Sequence, residues 1–217
     1  LLFSSEALKK NGTITNILEE SKRFAADIAE HLRERIYEMV IPQLAMGISK
    51  ARKLIDPSKK DIAFTYEMAV TVLFRLLFIA YGEDRDLLPF KTNESYRKRS
   101  LKKKSEELAK SKSKKNLEGV GDHQWIETAQ LWQSISVGNK EWGLPAYDGT
   151  MFSSNIAVSQ TGAALSGITL PNEIFEEVLR NLLLAETKDL DYAPIDFRSL
   201  SVREFGTIYE GLLESEL

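Results

Sequence analysis

Apolar residues return with a helical period from about Thr15 to Val40, where Ile17, Leu18, Phe24, Ile28, Leu32, Ile36 and Met39 share one face. Glu19, Glu20, Lys22, Arg23, Glu30 and Glu34 occupy the other, so the pattern predicts an amphipathic helix. Pro42 lacks a backbone N–H and crowds the preceding turn, which predicts an end or a kink there. A shorter helix is expected to run on to Leu54, before Asp56-Pro57 breaks the chain. Between Lys60 and Tyr81 the chain is apolar nearly all round, over about 22 residues, far longer than an ordinary strand. This segment predicts the central helix of the domain. Gly82 predicts its stop, because glycine tolerates the left-handed conformation that follows a helix.

A stretch rich in Lys, Ser and Glu comes next, with Leu101, Leu108 and Leu117 as its only aliphatic residues. Both a solvated helix and a disordered loop fit that composition, and few core residues are expected in it. Asp122 predicts a helix cap ahead of Trp125, Ile126, Ala129, Leu131, Trp132 and Ile135. Residues 138–168 are rich in Gly, Ser, Asn and Thr, with Asp148-Gly149 as a turn signal, so any β-structure is expected there. Pro171 and Asn172 open a further helix bearing Ile174, Phe175, Val178, Leu179, Leu182 and Leu183. Ser201 and Glu204 are spaced as a capping box before a last apolar face of Val202, Phe205, Ile208, Tyr209, Leu212 and Leu213. The predicted fold class is mainly α: an irregular helical domain with one loop-rich segment.

Composition narrows the chemistry. With no cysteine among 217 residues, disulfide partners, thiolate metal sites and a cysteine nucleophile are excluded, and a reducing, cytoplasmic setting is expected. His31 and His123 are the only histidines, too few for a histidine-built zinc site. The longest apolar stretch, Met68 to Tyr81, contains Thr71 and Arg75 and reads as too short for a membrane span, which predicts a soluble protein. Both ends read as cuts through a longer protein. The net charge of −3 conceals an asymmetry: Arg97 to Lys115 carries +8, and the other 198 residues carry −11.

That basic segment is the one feature with a functional pull. Arg97, Lys98, Arg99, Lys102, Lys103, Lys104, Lys110, Lys112, Lys114 and Lys115 could neutralise DNA phosphates and release counterions. The competing reading is a charged face that only maintains solubility. Trp125, Trp132 and Trp142 could stack on bases, but the seven-residue spacing of the first two is that of core positions. Glu83-Asp84-Arg85-Asp86 could gather a divalent cation, yet reads better as a network anchoring a helix end. Glu20-Ser21-Lys22 and Glu186-Thr187-Lys188 have the Glu-x-Lys form of metal-dependent nucleases, but both lie on sequence patterned as helix. Gly119-Val120-Gly121 lacks the strand and third glycine of a phosphate loop.

Three segments resemble one family. Phe74-Arg75-Leu76-Leu77-Phe78-Ile79-Ala80-Tyr81-Gly82-Glu83-Asp84-Arg85-Asp86-Leu87-Leu88-Pro89 resembles a stretch of large fused restriction–modification proteins. These are the type IIG class and related phage-defence methylases, similar to N6-adenine DNA methyltransferases. Gly143-Leu144-Pro145-Ala146-Tyr147-Asp148-Gly149-Thr150-Met151-Phe152 is similar to a loop found between the other two segments. Val202-Arg203-Glu204-Phe205-Gly206-Thr207-Ile208-Tyr209-Glu210-Gly211-Leu212-Leu213-Glu214 resembles the helix that introduces the methyltransferase domain.

The resemblance implies one helical connector domain over 1–217, part of a larger protein, with its basic loop or helix at 97–115. Residues 201–217 would begin the helix leading into a methyltransferase domain. It implies double-stranded DNA as the partner of the intact protein, with S-adenosylmethionine, and Mg²⁺ as a further candidate, as cofactors of that parent only. Neither the Asn-Pro-Pro-Tyr/Phe clamp for a flipped adenine nor the Phe-x-Gly-x-Gly strand end for the cofactor occurs here, so no catalytic, cofactor or metal residue is carried over. The alternative is a freestanding helical interaction module whose basic segment binds an acidic protein. A metal-dependent hydrolase would rest on Glu83, Asp84 and the two triplets alone.

Overall fold

The computed structural model describes residues 13–111, 121–147, 149–186 and 191–214. The chain runs through α1 (Thr13–Arg35), a π-helical turn (Ile36–Val40), α2 (Ile41–Ala51), α3 (Lys59–Asp84), α4 (Glu94–Arg97) and α5 (Leu101–Lys110). It continues through α6 (His123–Val137), α7 (Gln160–Ser166), α8 (Asn172–Leu183), β1 (Leu184–Glu186), β2 (Tyr192–Pro194), a 3₁₀ turn (Phe197–Ser199) and α9 (Val202–Glu214). The fold is mainly α, and its one sheet is a two-stranded antiparallel ribbon with Ala185 opposite Ala193.

α3 is the central helix, packed against α2, α5, α7 and the 3₁₀ turn. Two adjoining stripes of it are buried, Met68, Val72, Leu76 and Ile79 beside Ala69, Leu73, Leu77 and Ala80, because helical neighbours lie on both sides. Its start is set locally by Ser58, whose hydroxyl accepts from Asp61 N–H while the Asp61 carboxylate accepts from Ser58 N–H. At 26 residues α3 is longer than its apolar stretch suggests, and by length and composition it could cross a membrane. Half of that apolar window is buried inside the fold.

Several expectations need correction. The helix does not stop at Gly82, which lies inside α3 with Leu88 against it. The left-handed residue is Asp86 (φ 60°), where Leu87 N–H bonds to Gly82 O and Asp86 N–H to Glu83 O, the paired bonds of a Schellman ending. The helical backbone runs on through Pro42, but not as one α-helix, since the π turn (Ile36–Val40) separates α1 from α2. A π turn just before it lets Ile41 N–H reach Ile36 O, and the widened turn accommodates the ring near the start of α2. Asp122 stands at the cap position of α6 without a side-chain cap; Asn172, opening α8, accepts from Gln124 N–H instead. Among the described residues of 138–168 the β-structure is a single bridge between Asn139 and Leu144, and the two strands of the ribbon lie at 184–186 and 192–194. Glu186 is therefore on a strand, not a helix. Thr187 and Lys188 lie outside the described residues.

α9 packs onto the domain through Phe205, Ile208 and Leu212. Ile208 and Leu212 are buried, Phe205 stacks edge-on against Tyr81 at 5.1 Å, and the hydroxyls of Tyr37 and Tyr66 donate to the Ile208 and Leu212 carbonyls. Ser201 N–H bonds to the Glu204 carboxylate, one half of the expected capping box.

Candidate nucleic-acid interface

The basic segment is built onto the end of α3. Glu83 is buried, and three donors converge on its carboxylate: Tyr96 hydroxyl at 2.8 Å, Leu101 N–H at 3.0 Å and Lys102 N–H at 2.7 Å. Two of these are orphan amides of the first turn of α5, and the Ser100 hydroxyl takes a third from Lys103 at 3.0 Å. A glutamate from another helix thus caps α5 at the end whose dipole favours negative charge. Burial nevertheless dominates its titration, raising the Glu83 pKa to about 7 against the pull of those donors. The buried Tyr96 phenol is also pushed far up, by burial and then by Glu83.

The neighbouring residues tie further elements to the same point. Asp84 pairs with Lys102 Nζ and accepts from Phe197 N–H at 2.8 Å. Arg85 donates to the carbonyls of Arg198 at 2.9 Å and Leu200 at 3.2 Å, just before α9. Asp86 pairs with Lys91 at 2.7 Å. The cavity beside Glu83 and Asp84 is only about 30 Å³, room for one water. Among the described residues no three His, Asp or Glu side chains are grouped to hold a metal.

α5 is an ordered helix held at both ends: Glu83 takes its N-terminal amides, and Arg180 of α8 donates to the Leu108 carbonyl at 2.9 Å. It also contributes to the core. Leu101, Lys104, Ser105 and Leu108 are buried, contrary to the expectation of few core residues. Leu101 three positions before Lys104 and Leu108 four after it mark one face, a signal the dense lysines masked.

The cations differ accordingly. Lys104 is buried, with its ammonium held by Glu127 and by Gln124 Oε1 at 2.9 Å, so it faces away from any phosphate. Lys102 is half-buried on Asp84. Lys103 reaches Glu106 at 3.6 Å and Glu107 at 3.9 Å, while Lys98 pairs with Glu94 at 2.9 Å. Arg97 holds the carbonyls of Phe90 and Lys91, and Arg99 lies over the Trp142 ring at 4.8 Å. Arg97, Lys98, Arg99 and Lys110 are exposed, and Lys110 has no ion-pair partner among the described residues. Lys112, Lys114 and Lys115 lie outside the described residues.

The three tryptophans are buried, so none stands as an open platform for a base. Trp125 packs edge-on against Trp132 at 5.3 Å and Phe175 at 5.0 Å, and its Nε1 donates to Ile168 O. His31 is exposed with Nδ1 near Asp27 O, and His123 lies 2.6 Å from the Asn172 amide.

No protein-family model, curated protein or solved structure matches this chain.

Proposed function

We propose that the chain is the helical connector of a restriction–modification adenine-N6 DNA methyltransferase, setting the spacing between parts of a larger enzyme and touching the DNA backbone through its basic edge. One observation carries this reading: of the three segments of the family resemblance, far apart in sequence, the second and the third each pack against the first, along the second half of α3. Phe78 meets Phe152 at 5.3 Å and Tyr147 at 6.0 Å, and the Tyr147 hydroxyl donates to Leu87 O. Tyr81 meets Phe205 of α9 at 5.1 Å. Glu83, Asp84 and Arg85 then join the start of α5 to the turn entering α9.

A spacer must transmit position without yielding, and buried charge-assisted bonds with fixed partners suit that task. Chemistry would reside in the methyltransferase part, where S-adenosylmethionine and the flipped adenine bind. The exposed Arg97, Lys98, Arg99 and Lys110 would meet phosphates, which position a protein on duplex without reading sequence. Reading the coding frame a few hundred codons either side tests the assignment. An Asn-Pro-Pro-Tyr/Phe motif and a Phe-x-Gly-x-Gly strand end soon after Leu217 are expected. Flanks carrying neither motif, on either side, would overturn it.

A further inference from the structure

Arg75 sits in the middle of the apolar α3 and is only 3% exposed. Its Nε donates to Met151 O at 2.6 Å and its Nη2 to Ser153 O at 3.3 Å, while the faces of Trp132 and Phe152 lie 5.2 and 5.9 Å from the guanidinium carbon. Those partners are neutral. Among the described residues no carboxylate pairs with Arg75, although buried charges are ordinarily paired. The guanidinium lines a groove of about 430 Å³ between α6 and α7, and among the described residues it is the only charged side chain in that lining. Trp132 lines the same groove. Its Nε1 is the one buried side-chain nitrogen or oxygen without a hydrogen-bond partner among the described residues. The remaining wall is mixed: Ile126, Ala129, Val137 and Leu165 supply apolar surface, with Ile126 and Val137 exposed at 41% and 69%, beside uncharged polar residues such as Gln130 and Gln133.

We propose that this groove is a binding site for a small apolar molecule bearing one carboxylate, which accepts from the Arg75 guanidinium and the Trp132 indole N–H. A single buried cation and an unsatisfied donor among the residues of a groove that is otherwise uncharged and partly apolar complement a monoanion with a hydrophobic body. A phosphate ester would bring a second negative charge that no other lining residue matches, so it fits less well. Burial lowers the Arg75 pKa to about 10, which still leaves it charged at neutral pH. Gly162 leaves room for this arrangement, since a Cβ there would lie 2.9 Å from Arg75 Nη2. The site is separate from the basic edge and carries no part of the DNA-contact reading.

Calorimetry on the full chain with 1-naphthoate, 1-naphthamide and 1-naphthyl phosphate tests the proposal. Naphthoate is expected to bind one-to-one and at least tenfold more tightly than the amide or the phosphate, and to move one indole N–H resonance. Gln133→Glu, at an exposed position in the groove lining, should weaken naphthoate several-fold and leave naphthamide unchanged. Arg75→Gln should remove the preference for the acid; should that variant fail to fold, Gln133→Glu decides alone. Equal affinity for acid and amide, no saturable naphthoate binding up to about 1 mM, or indifference to Gln133→Glu would each overturn it.

Discussion

Replacing Glu83 with Gln isolates the consequence of burying a carboxyl at the junction of α3 and α5. The group rises from about 4.5 unfolded to about 7 folded, so the native state holds its proton through a range where the unfolded chain has lost it. Stability from this group is therefore full below pH 4.5, falls as pH rises, and is lost once pH passes 7. A shift of about 2.5 pH units at 1.36 kcal/mol each corresponds to roughly 3 kcal/mol. Gln cannot ionise, and its amide presents a donor to one of the α5 amides, which lowers stability by a constant 1–3 kcal/mol or so without creating a slope. Urea unfolding followed by circular dichroism, from pH 4.5 to 8.5, supplies both curves. Their difference cancels every other titrating group, including Asp61, Glu94 and Asp196, whose pKa values are held low by local partners. The variant should gain roughly 3 kcal/mol on the parent across that range. A difference constant to within about 0.5 kcal/mol would refute the burial argument.

Other substitutions test the packing. Gly162→Ala would set its Cβ 1.9 Å from the Ser153 carbonyl oxygen, so thermal unfolding should show a loss of about 3 kcal/mol. Lys53 follows α2 at φ 54° with Leu54 N–H bonded to Ser49 O, and Lys53→Gly should raise stability by about 1 kcal/mol in urea titration. Lys104→Gln should lower stability by about 1–2 kcal/mol through loss of the bond to Glu127, whereas Lys110→Gln at an exposed position should stay within about 0.5 kcal/mol.

Long helices were legible because burial leaves a mark in the sequence: α6, α8 and α9 carry the helical period of a one-sided face, and α3 is apolar nearly all round over a length no ordinary strand reaches. Boundaries failed where the chain uses a residue against its ordinary preference. Asp86 and Lys53 take the left-handed position after a helix, so glycine was a poor guide and Gly82 marked close packing by Leu88 instead. The π turn before Pro42 depends on a change of hydrogen-bond register that no residue type signals. Asn172 caps α6 from 48 positions away, and such a partner is visible only once the helices are packed. The Glu83–Arg85 cluster was readable as an anchor, but its targets, the α5 amides, Phe197 N–H and the carbonyls of Arg198 and Leu200, were not. Charge counting also treated ten cations as equivalent, although Lys104 is buried and Lys102 serves Asp84.

Duplex binding as a function of salt tests the proposed role most directly. Fluorescence anisotropy with a labelled duplex of random sequence, from about 50 to 200 mM NaCl, should give weak, sequence-independent binding. Four to six neutralised phosphates predict a log–log slope of about −4 to −5. Replacing Lys98, Lys110, Lys112, Lys114 and Lys115 with Gln, while sparing the Lys102 and Lys104 that the fold uses, should flatten the slope to about −2, the share left to Arg97 and Arg99, with thermal unfolding unchanged. A parent that does not bind duplex, or a five-Gln variant with the parent's affinity and slope, would contradict the DNA-contact role.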